Sequence, residues 1–231
     1  MSWSVEGKPP GQSEQEGSGM ALLENVVSSA HPNPIPLMFC SASDDAASGS
    51  GAKKKEYPAS CTDKIFRIGA ATDQGQTWVE VKNPHEAHFF FPGVKVPELH
   101  SRFQYQYQTP EQDPDPRSGS SIATALASGL AALILHCTKL GIYFSTREMQ
   151  EDLITLDDLK RFKTFEGMKQ AFNILTHRNL TNQRVGYPSE RFENATEAMR
   201  KLEKENELKP PARYKPIAGL VRNIIGWREL P

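Results

Sequence analysis

Gly119-Ser120-Ser121 stands at the mouth of the strongest helical pattern in the 231-residue chain. A serine in the first turn of a buried helix has its oxygen beside backbone N–H groups that lack an intrahelical partner, at the positive end of the helix dipole. Such donors stabilise the oxyanion formed when a serine attacks a carbonyl. The attack also needs a base for the hydroxyl proton, and the chain holds six histidines, His31, His85, His88, His100, His136 and His177. His136 is displaced about 22 Å from Ser121 along the helix axis and cannot touch it. His31 lies at a helix end beside a proline turn. His85 and His88, three apart at a strand start, face opposite sides, which also argues against a metal pair. His100, in an irregular segment, is the least excluded.

The three cysteines, Cys40, Cys61 and Cys137, form no C-x-x-C, so neither a zinc ribbon nor a thioredoxin-like site is supported. An odd count suits a secreted disulfide scaffold poorly, and their apolar settings read as buried free thiols. No metal and no cofactor is expected.

These residues need elements to position them. Residues 1–5 read as a short strand and 6–19 as an exposed loop rich in Gly, Pro, Ser and Glu. Residues 20–30 have helical spacing and are stopped by His31-Pro-Asn-Pro. Ile35-Pro-Leu-Met-Phe-Cys-Ser-Ala and Lys64-Ile-Phe-Arg-Ile-Gly-Ala are continuous apolar runs, as buried parallel strands are. His88-Phe-Phe-Phe is a third strand, ended by Pro92-Gly93. Residues 121–139 are apolar on nearly every side, which predicts a buried helix, and Ser118-Gly-Ser-Ser can cap its start. Beyond Thr146 the pattern is helical and more charged, with 165–175 periodic, 191–208 a surface helix, and 217–227 apolar enough to dock. The order implies an α/β fold with a mainly parallel sheet and helices on its faces.

Lys+Arg 27 against Asp+Glu 28 leaves a net charge of -1, which gives no electrostatic reason to expect nucleic acid or an anionic membrane as partner. No basic region followed by an apolar run opens the sequence, and no uncharged apolar run reaches the ~20 residues that span a bilayer. A cytoplasmic protein is therefore expected, with no membrane partner. Two N-x-T sequons, at Asn179 and Asn194, then carry no meaning.

The segment Gly119-Ser-Ser-Ile-Ala-Thr-Ala-Leu-Ala-Ser-Gly resembles the serine motif of the subtilases, G-T-S-x-A-x-x-x-x-x-G. Gly119, Ser121, Ala123 and Gly129 fall in place, and Ser120 keeps the hydroxyl of the family's threonine. The family's proline is missing, with Leu126 or a neighbour in its place. Other pieces occur in the family's order over roughly residues 1–140. Met1-Ser-Trp-Ser is similar to the strand that pairs with substrate. Leu37-Met-Phe-Cys-Ser-Ala-Ser-Asp-Asp is similar to the strand ending at the oxyanion-hole asparagine. Tyr57-Pro-Ala-Ser with Ile65-Phe-Arg-Ile-Gly-Ala-Ala-Thr, and Phe91-Pro-Gly, are similar to the Y-P-A strand region and the A-P-G turn.

The resemblance implies a three-layer subtilisin-like domain, truncated at its N-terminus, over residues 1–145, with a helical extension over 146–231 packed on it or trailing from it. It implies a serine endopeptidase acting on polypeptide, with Ser121 in the nucleophile position and Ser2, Trp3, Ser4 and Gly119 binding substrate. Asp44 falls at the oxyanion-hole position, where a carboxylate donates only when protonated, with Asp45 a neighbouring acid. The triad's aspartate and histidine precede the Met1-Ser-Trp strand in the family, so the chain alone is expected to be inactive. A pseudoprotease that binds peptide or partner without cleaving is the alternative, and oligomeric state is left open.

Overall fold

A computed structural model of the chain describes residues 5–6, 25, 37–44, 56–97, 117–148, 153–187, 189–204 and 214–226. Ser2, Trp3, Ser4, His31, Asp45 and His100 lie outside them, as do all but Asn25 of the 20–30 helix and most of the 97–117 segment.

The strands are β1 (Val5–Glu6), β2 (Met38–Ser41), β3 (Glu56–Tyr57), β4 (Ile65–Ala71), β5 (Phe89–Pro92), β6 (Thr176–Arg178) and β7 (Arg184–Gly186). The helices are α1 (Ser120–Glu148), α2 (Leu156–Phe162), α3 (Phe165–Leu175), α4 (Ser189–Lys204) and α5 (Lys215–Ile225). β1 and β3 form a two-stranded antiparallel pair. The main sheet runs β2-β4-β5-β7-β6 and is parallel except at the β7–β6 pair.

β2, β4 and β5 are the three strands expected from continuous apolar runs. Their register sets Phe39 opposite Phe66, Ile68 opposite Phe89 and Ala70 opposite Phe91, so these side chains share one face. Phe172 of α3 closes over them, 5.3 Å from the Phe89 ring and 5.5 Å from Phe91. The Phe165 ring lies tilted against Phe66, with centroids 4.5 Å apart. α1 and α5 join this core through Ala123, Ala127, Ile134, Leu220 and Ile224, all buried. The opposite face carries a smaller buried group, Met38, Cys40, Ile65 and Ala59.

Three features differ from the sequence reading. Among the described residues beyond Thr146, the helices are joined by β6 and β7, a hairpin of two three-residue strands that extends the sheet and that the helical reading did not include. Strands so short and polar show no period of two. Helix α1 runs to Glu148, nine residues past the expected end. Among the described residues it alone has the length and apolar character to cross a membrane, a test that a core helix also passes, and one of its faces is buried in the core. Finally, α1 is not buried all round, because Leu126, Leu133 and Tyr143 are more than two-fifths exposed.

Candidate active site

Because β2, β4 and β5 are parallel, their C-terminal ends meet along one edge of the sheet, the usual place for a site in an open α/β fold. α1 begins there. β5 leaves the sheet at Gly93, whose N–H donates to the Ala71 carbonyl at 3.0 Å. The chain returns antiparallel at Arg117, which exchanges two backbone hydrogen bonds with Val96. Lys95 N–H donates to Ser118 Oγ at 2.9 Å, and Gly119 N–H to the Gly93 carbonyl at 2.7 Å. A Cβ on Gly93 would lie 2.8 Å from both Ala70 Cβ and the Gly119 carbonyl oxygen. Only glycine permits this approach, which explains the Phe-Pro-Gly turn.

Ser120, the first helical residue, is completely buried and joins three elements. Its Oγ accepts a hydrogen bond from Ala70 N–H of β4 at 3.0 Å. The same hydroxyl donates to Asp44 Oδ1, just past the end of β2. Asp44 Oδ2 accepts the Ser120 backbone N–H at 2.6 Å. Asp44 thus caps α1 from a distant strand, and it supplies the negative charge that the first turn of α1 lacks. Both carboxylate oxygens act as acceptors toward Ser120. Sequence reasoning noticed the Ser120 hydroxyl but missed this role. The signal in the sequence was a hydroxyl residue at the helix start, which reads equally well as a local cap.

Ser121 follows with its side chain exposed. Among the described residues, neither its hydroxyl nor its backbone N–H has a hydrogen-bond partner, whereas Ile122 and Ala123 donate to the Gly119 carbonyl. A Cβ added to Gly119 would sit 3.3 Å from Ser121 Oγ and 3.6 Å from Asp44 Oδ2. Ser121, Gly119 and Asp44 therefore surround one small space, and glycine at 119 keeps it open. The arrangement presents a hydroxyl and an unpaired N–H donor side by side at the N-terminus of a 29-residue helix.

The histidines inside the described residues are placed elsewhere. His88 lies on the sheet, where its Nδ1 accepts Arg67 N–H at 3.0 Å and its ring meets Phe66 and Phe165 edge-on. Burial, together with the charges of Lys169 and Arg67 and against that of Asp63, pushes its pKa down to about 4. His177 stacks on Tyr187 at the β6–β7 edge. His136 is exposed on α1, fifteen residues beyond Ser121, about 22 Å along the axis. His85 is exposed in the turn before β5. Among the described residues no group of His, Cys, Asp and Glu could hold a metal ion.

A mostly parallel sheet with flanking helices, and a serine opening the central helix at the strands' C-terminal edge, define a subtilisin-like α/β fold. The family model for the subtilases (peptidase S8) matches residues 1–172, and the chain belongs to that family. No curated protein matches it.

Proposed function

We propose that this chain carries the serine-bearing part of a subtilisin-like endopeptidase site, with Ser121 as nucleophile and its own N–H as an oxyanion donor. The observation that carries this reading is an exposed hydroxyl beside a backbone N–H at the start of α1, neither of which has a hydrogen-bond partner among the described residues. The substrate is a polypeptide, whose carbonyl carbon enters the space bordered by Gly119 and whose backbone pairs along Ser2, Trp3 and Ser4. Asp44 holds the serine turn in place. With both carboxyl oxygens accepting from Ser120, it does not donate to the oxyanion, so stabilisation falls to the Ser121 N–H and the helix dipole.

The step that this constellation lacks is proton removal. The 231 residues contain no D-[ST]-G and no H-G-T sequence, and the four histidines among the described residues, His85, His88, His136 and His177, are engaged or remote. A hydroxyl without a base is a poor nucleophile. In subtilisin itself, losing the triad serine or histidine costs on the order of 10⁶ in kcat. The chain by itself is therefore proteolytically silent.

A second reading, a peptide-binding pseudoprotease, is favoured by the same missing base together with the carboxylate at 44. The two part on the reactivity of Ser121. A fluorophosphonate probe with added imidazole as a free base should label Ser121 in the endopeptidase reading, and a Ser121→Ala chain should stay unlabelled. Equal background on both chains would leave the pseudoprotease.

A further inference from the structure

Asp44 fastens the start of α1, yet it stays partly exposed at the mouth of the serine site. Its two oxygens both accept from Ser120, Oδ2 from the backbone N–H at 2.6 Å and Oδ1 from the hydroxyl. Each carboxyl oxygen can accept more than one hydrogen bond, and no basic side chain among the described residues forms an ion pair with Asp44. Acceptor capacity is therefore left over at this edge. One point locates it. A Cβ on Gly119 would lie 3.6 Å from Asp44 Oδ2, 3.3 Å from Ser121 Oγ and 3.9 Å from the Ser121 nitrogen. A ligand group beside Gly119 meets an acceptor oxygen, a hydroxyl and an N–H donor at once.

A helix N-terminus by itself favours an anion, a carboxylate included. Asp44 reverses that preference. A carboxylate brings acceptors only, so one that took the Ser121 N–H would set its oxygens against Asp44 Oδ2. A carboxamide brings a C=O to accept from the Ser121 N–H and an N–H to donate to Asp44. We propose that Asp44 is a specificity residue, which makes the space beside Ser121 a site for amides and excludes free carboxylates. The inference rests on the reading of that space as the ligand site. It suits a polypeptide substrate, whose cleavage turns an amide into a carboxylate. Asp44 thereby separates the bond to be cut from the acyl product, and an amidated chain end from a free one.

The test is titration of the isotope-labelled whole chain, at neutral pH, with acetyl-tetra-alanine amide and with the same peptide as its free acid. NMR of the Ser121 N–H reads both. The amide should shift that signal saturably and bind about tenfold or more tightly than the acid. In D44N the side chain still accepts the Ser120 N–H and also offers an N–H to a carboxylate, so the preference should collapse or reverse. A capping role alone would leave it unchanged. G119A, whose methyl fills the space, should bind neither peptide. S121A keeps the backbone N–H and should keep the preference, so the outcome is independent of Ser121 as a nucleophile, which fluorophosphonate labelling reads separately. The proposal is overturned if the acid binds as tightly as the amide, if D44N leaves the ratio as it is, if G119A binds like the parent, or if neither peptide moves the Ser121 signal. Should D44N fail to fold, the ratio measured on the parent chain decides alone.

Discussion

Asp44 and Ser120 are joined twice, through the backbone N–H at 2.6 Å and through the hydroxyl, across 76 residues of sequence. Ser120 passes the connection on to Ala70 N–H, so β2, β4 and α1 meet at one buried hydroxyl. A helix start fixed to two parallel strands gives the next residue, Ser121, a defined position at the sheet edge. The double bond is thus a positioning device, and its loss acts on Ser121 without touching it.

Asp44→Ala should lower stability by about 1–3 kcal/mol, the range for losing a cap and leaving a buried donor unpaired. Asp44→Asn, which still accepts the Ser120 N–H, should lose less. In a double-mutant cycle with Ser120→Ala, the pair should fall short of additivity by about 1 kcal/mol or more, as contacting partners do. Chemical denaturation of the four chains measures this, and strict additivity would mean that the two residues act independently.

Gly93→Ala should destabilise the chain by about 1–3 kcal/mol through overpacking. The new methyl would press on Ala70 Cβ and on the Gly119 carbonyl oxygen, neither of which can swing aside. Gly129→Ala is the control, since a Cβ there meets nothing within 4 Å, and a helix interior gains up to about 1 kcal/mol from that exchange. Thermal unfolding should separate the two substitutions in sign.

Phe172→Ala should cost about 3–5 kcal/mol, the usual penalty for truncating a buried phenylalanine. The ring is fully buried and touches Phe39, Phe66, Phe89 and Phe91. A denaturant midpoint near that of the parent would show that α3 does not share the sheet's core.

His88 gives stability a defined pH dependence. Its pKa falls from 6.5 to about 4 in the fold, so between those values the unfolded chain binds a proton that the folded chain excludes. The stabilisation is whole above pH 6.5 and is lost as pH falls toward 4. Solvent screening of a half-buried ring reduces the effect to on the order of 1–2 kcal/mol. His88→Asn keeps an acceptor for Arg67 N–H without titrating, and should flatten the stability curve in that window. An unchanged slope would assign the pH dependence to other groups.

The strands around Phe39, Phe66 and Phe89 were legible because a parallel strand buried on both sides is one unbroken apolar run. The reading of Ser121 rests on the family order of the pieces around it more than on its own Gly-Ser-Ser motif, which helix capping alone would explain. The β6–β7 hairpin was not legible, since its members are three residues long and mostly polar. Nor was the open face of α1, because residue type reports apolarity and says nothing of coverage. The tie from Asp44 to Ser120 depends on the sheet bringing β2 and β4 to the start of α1, which no local pattern encodes.

The most direct test of the central claim is labelling of the 231-residue chain by a fluorophosphonate as imidazole is increased. If Ser121 is a nucleophile lacking only a base, labelling should be near background without imidazole, rise severalfold with it, map to Ser121 and vanish in Ser121→Ala. Labelling that ignores imidazole, or that survives Ser121→Ala, would contradict that claim.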